Sequence, residues 1–255
     1  MTKPVARIRV GIGGWDYDPW RGSFYPAGLR RADQLAHAAS RVTAIEVNAT
    51  FYKLQTPDLY ARWAAAVPED FRFALKGSRF CTNRKALAEA GEAVARFCAQ
   101  GLSELGPKLG PILWQLAATK RFDPDEMEAF FALLPRAQDG ILLRHAVEVR
   151  HESFADPAFV RIARDAGVAV AYVDEEGVPA LDAPAADLAY ARLKRMSEEE
   201  PAGYPPAALA GWADLAQGWA GSGRDCFLFM SGGFKLRAPA AAEALLARLA
   251  AAAGG

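Results

Sequence analysis

What this sequence has little of narrows its possibilities first. Cysteine is scarce: Cys81, Cys98 and Cys226 are the only three. They are too scattered for a disulfide framework, and no Cys-x-x-Cys pair offers zinc spacing. They read as reduced core thiols of a cytoplasmic protein. Histidine is equally sparse, with only His37, His145 and His151, which argues against a zinc or His-rich multi-metal site. Net charge is absent, because Lys+Arg and Asp+Glu both number 30. No global field therefore draws the chain to nucleic acid or an anionic membrane. No apolar run approaches the ~18 residues of a membrane span, and the opening MTKPVARIRVGIGG lacks the apolar stretch of a signal peptide. Nucleophile-elbow, phosphate-loop, kinase and dinucleotide-binding signatures are all missing.

What is present is a globular composition, 52% hydrophobic and 24% charged over 255 residues, enough for one large core without disulfides or structural metal. Short apolar runs alternate with helical patterns along the whole chain. The expected strands are ARIRVGIG, TAIEVN, FRFALK, PILWQL, AVEVR, VAVAYVD, LAYARLK and CFLFMS. Helical stretches fall around 30–41, 56–66, 85–105, 123–134, 157–166, 206–220 and 238–252. Thr56-Pro57, Asp123-Pro124 and Asp156-Pro157 each read as an N-cap followed by Pro at the first helical position. Eight strands alternating with helices predict a single-domain α/β fold over 1–255, a TIM (β/α)8-type barrel. The Pro-rich connection EEGVPALDAPAAD between the sixth and seventh strands is expected to lack a full helix. An open doubly wound sheet is the alternative.

In a barrel strand, alternate side chains point inward, and inward residues near the C-terminal end form the floor of a site. On that reading Glu46 and Asn48, Lys76, Gln115, Glu148 and Arg150, Asp174, and Tyr190, Arg192 and Lys194 converge. Cations from several strands aimed at one point suit a phosphate, carboxylate or sulfate. Glu46, Glu148 and Asp174 would act as general acid or base, or two of them would hold Mg²⁺ or Mn²⁺. The spacing leaves that choice open. His151, directly after Arg150, is the histidine placed for catalysis, with loop capping as the competing role. His37 reads as a surface residue, and His145 as preceding its strand at the opposite end. The loop GGWDYDPWRGSFYP concentrates Trp15, Tyr17, Trp20, Phe24 and Tyr25. With Phe51 and Tyr52 it offers either packing or a stacking wall for a sugar or base.

The blocks GIGGWDYDPWRGSFYPAGL, IEVNATFYKLQTPDLYARWAAAVPEDFRFALKGSR, GPILWQL and VEVRHESF resemble, in order, the signatures of the YecE-like family (domain of unknown function 72). The likeness covers nearly the whole chain. It implies a TIM-barrel fold and no established activity. The chain departs from the family pattern at three places. YARLKR carries Lys194 and Arg195 where relatives usually have His-Gly. FLFMSGG, with Ser231–Gly233, replaces an Asn-rich turn. Ala117 stands where Pro is usual.

Three functions follow as expectations. The first is an enzyme acting on a small anionic, phosphorylated or sugar-containing substrate at the C-terminal mouth, with turnover itself left open. The second is a non-catalytic ligand-binding module. The third is nucleic-acid processing or binding, disfavoured by the balanced charge.

Overall fold

The computed structural model describes residues 7–181, 183 and 187–253. The segment MTKPVA, the part of the Pro-rich connection at 182 and 184–186, and the two final glycines lie outside those residues. Nine parallel segments form one sheet: β1 Ile8–Gly13, β2 Ala44–Val47, β3 Arg72–Lys76, β4 Leu109–Gln115, β5 His145–Glu148, β6 Ala169–Val170, β7 Tyr172–Asp174, β8 Leu188–Leu193 and β9 Asp225–Met230. The hydrogen-bonded order is β6-β5-β4-β3-β2-β1-β9-β8-β7. The segments at the two ends of that order, β6 and β7, are halves of one expected strand, interrupted at Ala171. Val170 pairs with Val147 on one side, and Tyr172 pairs with Ala191 on the other. Eight sequence strands thus close into a nearly complete barrel.

The helices that flank it are α1 Gln34–Arg41, α2 Pro57–Ala65, α3 Gly91–Cys98, α4 Pro124–Ala132, α5 Pro157–Ala166, α6 Pro206–Gly221 and α7 Ala238–Ala253. Asp123 and Asp156 cap their helices as expected, accepting from the Glu126 and Ala158 amides. Thr56 does not: its side chain makes no cap bond, and its carbonyl accepts from Leu59 and Tyr60. The long 85–105 pattern breaks into α3 flanked by 3-10 turns, with Gly101 in a left-handed conformation where the second turn begins. Among the described residues of 175–187 no helix forms. None of the described helices is long and apolar enough to cross a membrane.

Strand alternation divides the core in two. Outward residues such as Val10, Ile45, Phe73, Trp114, Val147 and Leu228 pack under the helices. Inward residues form a separate cluster in which Ala44, Ala74, Ala146, Ala169 and Ala171 face Tyr190, Phe227 and Phe229. Small residues on one wall make room for rings on the other, which fills the barrel as a solid core. Gly11 is required on β1, where a Cβ would lie 1.9 Å from the Ala44 carbonyl oxygen. All three cysteines are buried and free, and burial pushes each thiol up to about 12.

Two histidines sit differently from their sequence reading. His37 is half-buried rather than on the surface, its Nε2 bonding the Phe24 carbonyl and its ring edge-on to Phe24 and Tyr25. The reason is that α1 turns this face to the aromatic first loop. His145 opens β5 instead of preceding it. It is buried, accepts from the Trp114 indole at 3.1 Å and bonds the Pro135 carbonyl through Nε2. Burial holds its pKa below the usual imidazole range.

Candidate functional site

At the C-terminal ends of the strands lies an open cleft of about 560 Å³, bordered by Asn48, Lys76, Gln115, Arg150, Arg192 and Lys194 among others. Its base is a chain of charge-assisted hydrogen bonds. Glu46 accepts from the Tyr190 hydroxyl at 2.8 Å, from Arg192 at 2.9 Å and from Asn48 at 3.3 Å. Glu148 accepts from Arg192 at 2.6 Å, and from Gln115 and Lys194 at 3.1 Å each. Glu175 accepts from Arg150 and Lys194, both at 2.7 Å. Glu46 and Glu148 are fully buried, so this pairing is what makes their charge tolerable.

The electrostatics follow from the pairing. Burial alone would raise Glu148, but Arg192 and Lys194 outweigh it and bring the carboxyl down to about 2. Burial opposes the Arg192 charge, and Glu148 and Glu46 more than restore it. Tyr190 is raised by burial and by Glu46, so its phenol remains a donor. Every oxygen of Glu46, Glu148 and Glu175 has a donor in contact. That geometry fits anchoring of the cations better than proton transfer. It also fits a divalent cation poorly, since Mg²⁺ or Mn²⁺ would have to sit beside Arg192 and Lys194. Among the described residues, no cluster of three His, Cys, Asp or Glu side chains is placed to hold a metal.

Eight of the expected residues therefore meet: Glu46, Asn48, Lys76, Gln115, Glu148, Arg150, Arg192 and Lys194. Four do not. Asp174 points outward, accepting from the Tyr204 hydroxyl at 2.7 Å. The inward phase of its strand is Ala169, Ala171 and Val173, and the next inward position is Glu175. Continuing the alternation by one residue finds Glu175, which lies one position past the first acidic side chain of the strand. His151 caps the turn Glu152–Phe154, its Nδ1 accepting from the Ser153 amide, and is not among the residues bordering the cleft. Trp15 packs edge-on against Trp63 and Phe73 on the outer side of β3. Tyr52 is exposed beside Phe51.

The first loop is packing rather than a wall. Trp20 is fully buried and its indole donates to the Lys235 carbonyl at 3.1 Å. Tyr25 donates to the Trp15 carbonyl. The loop nonetheless serves the cleft, because Lys235 lies over the Tyr17 and Trp20 rings, 4.6 and 5.5 Å from their centroids. Lys235, at a 3-10 turn after β9, had no periodic signal to announce it. The sequence departures on the last two strands are one feature in space. Gly233 has φ +54°, and a Cβ there would approach the Lys194 carbonyl oxygen to 2.2 Å. The Ser-Gly-Gly turn thus fits directly against Lys194.

A parallel barrel with a charged cleft at its C-terminal mouth defines the class. The family model of DUF72, described as a protein of unknown function, matches residues 9–255. The chain belongs to the DUF72 family. It is 29% identical over 147 residues to UPF0759 protein YecE of Escherichia coli K12, covering 58% of this chain and 50% of that relative. The matched stretch spans about half the length of the curated relatives. Among solved structures, a DUF72 family protein of Thermotoga maritima superposes with a TM-score of 0.77 at 20% identity, over 98% of this chain and 100% of the other. A DUF72 family protein of Enterococcus faecalis gives 0.71 at 18%, over 96% and 98%. At such identities the likeness is one of fold.

Proposed function

We propose that the barrel mouth is the binding and reaction site for a small anionic substrate, phosphorylated or sugar-containing. One observation carries this reading. Six cations border the cleft, Lys76, Arg150, Arg192, Lys194, Arg195 and Lys235, against the carboxylates Glu175 and Glu176, and Glu46, Glu148 and Glu175 are spent in holding Arg150, Arg192 and Lys194 in place. The ammonium groups of Lys76 and Lys235 rest on aromatic rings and have no carboxylate in contact among the described residues. Fixed cations beside unpaired ones in an open cleft suit an anion that arrives from solvent. Asn48 and Gln115 add amides that can bond hydroxyl groups.

The saturation of the carboxylates also favours a second reading, a non-catalytic ligand-binding module. Both predict thermal stabilisation by inorganic phosphate or a sugar phosphate, about 2.7 kcal/mol at ~100 times the dissociation constant. The double variant Lys76→Met/Lys235→Met should lose most of that shift while remaining folded. No shift with phosphate, sulfate or any sugar phosphate would remove the anion-binding reading. A salt-steep affinity for short oligonucleotides instead would point to nucleic acid. Turnover of the bound compound separates the enzyme from the module.

A further inference from the structure

We propose that Lys76 is an amine nucleophile that condenses with the carbonyl group of a small anionic aldehyde or keto acid. This rests on the anion-binding reading for its substrate class, and on the surroundings of Lys76 for its chemistry. The residue ends β3 and is buried to 8% exposure, yet borders the open cleft. Its Nζ stands 4.2 Å from the centroid of the Phe51 ring, and no hydrogen bond or ion pair from the described residues engages it. The carboxylates that would pin an ammonium in its charged form are turned to Arg192, Lys194 and Arg150 instead. Desolvation, with Arg192 adding to it and Glu46 and Glu148 only partly opposing, lowers the ammonium to about 8. Burial beside another cation is a general route to a reactive lysine.

The chemistry balances without an outside oxidant or reductant. The ammonium sheds a proton to solvent in the cleft. The Nζ lone pair attacks the carbonyl carbon and the oxygen takes up a proton, giving a carbinolamine. Loss of water leaves a C=N bond to Lys76. The anionic group of the substrate would lie against Lys235, Lys194 or Arg150 while Lys76 meets the carbonyl carbon. Lys194 and Lys235 differ from Lys76 in this respect: Lys194 is held by Glu148 and Glu175, and Lys235 sits at the rim over two rings.

The test is reductive trapping on the full chain near neutral pH, with cyanoborohydride and either acetaldehyde or glyoxylate, followed by peptide mapping. Acetaldehyde reads the amine alone; glyoxylate adds the negative charge. Lys76 should be alkylated at least ~10-fold faster than the exposed Lys53 and Lys85. Glyoxylate should widen the gap by roughly another tenfold at Lys76 only, the gain expected from about 1.4 kcal/mol of anion recognition. Phosphate should protect Lys76. Lys76→Arg should show no adduct at this position while Lys53 and Lys85 label as before. If neither aldehyde labels Lys76 faster than Lys53 and Lys85 in the unsubstituted protein, the nucleophile assignment is overturned while anion binding stands. Fast labelling by acetaldehyde with no gain from glyoxylate and no phosphate protection would instead overturn the anionic substrate class and leave the amine assignment intact.

Discussion

The two ends of this barrel interior each bury an arginine, and they surround it differently. At the C-terminal mouth Arg192 bonds Glu148 at 2.6 Å and Glu46 at 2.9 Å. At the N-terminal floor Arg9 is also buried, with its guanidinium over the Phe227 ring at 5.4 Å. There Nη1 finds no hydrogen-bond partner among the described residues. Arg7, Arg72 and Arg144 stand near it and lower its pKa further, after burial, to about 10. Asp225 offsets them, bonding Arg144 at 2.9 Å and the Arg7 amide at 3.0 Å. The contrast teaches where the fold has invested its carboxylates. The mouth has three carboxylates fixing its cations, which is preorganisation, whereas at the floor Asp225 pairs with Arg144 and Arg9 rests on the Phe227 ring. This is the asymmetry expected of a barrel whose site lies at the C-terminal face.

The sharpest way to break the comparison is the same substitution at both ends. Arg192→Met strands Glu46, for which Arg192 is the cation in contact, and removes one of the partners of Glu148. Breaking a buried pair in this way costs about 3–5 kcal/mol. Chemical denaturation should read that loss directly. A change under about 1 kcal/mol would mean that the ion chain does not hold the mouth together.

Acid titration tests the same network without mutation. Glu148 is held at about 2, below the ordinary carboxylate value of roughly 4.3. A depressed carboxylate stabilises the fold above its unfolded pKa, and that stability drains away as pH falls through the folded value. Unfolding free energy should therefore drop from near pH 5 toward pH 2, with Glu175, also lowered, contributing in the same direction. In Arg192→Met, Glu148 loses the cation that lowers it most, so the decline should be shallower. An unchanged slope would count against the assigned pairing.

Arg9→Met should move stability the other way. A base whose pKa is lowered by burial and like charges costs the folded state whenever it is protonated. Replacing it with an apolar side chain of similar length is then neutral or stabilising, by about 1 kcal/mol. Destabilisation by more than that would reveal a partner for Arg9 at the floor.

The sequence carried this comparison only part of the way. Strand alternation was legible because outward positions must be apolar to pack under helices, which left Glu46, Lys76, Gln115, Glu148 and Arg192 in the inward phase. It failed for Asp174 because the strand breaks at Ala171 and its inward phase runs on to Glu175. Loop residues have no period at all. Trp15, Tyr52 and His151 could be placed near the mouth by sequence but not aimed, and each turned to packing, solvent or capping. Nor does composition reveal pairing: the equal totals of acid and base hide a mouth rich in cations.

The smallest effect separates stability from binding at the mouth. Glu175 accepts from both Arg150 and Lys194, but its side chain is 32% exposed, so the bridges are screened. Glu175→Gln should cost at most about 1 kcal/mol in unfolding experiments. The same change removes a negative charge from the cleft and releases Arg150 for a ligand, with Lys194 still held by Glu148. At the effective dielectric of a surface cleft this is worth about 1 kcal/mol, or roughly fivefold tighter phosphate binding by calorimetry. A variant that is slightly less stable yet binds phosphate more tightly fits carboxylates that position cations for an incoming anion. Weaker phosphate binding would mean that Glu175 itself orders the ligand through Arg150 and Lys194, and the cleft would then depend on its rigidity more than on its charge.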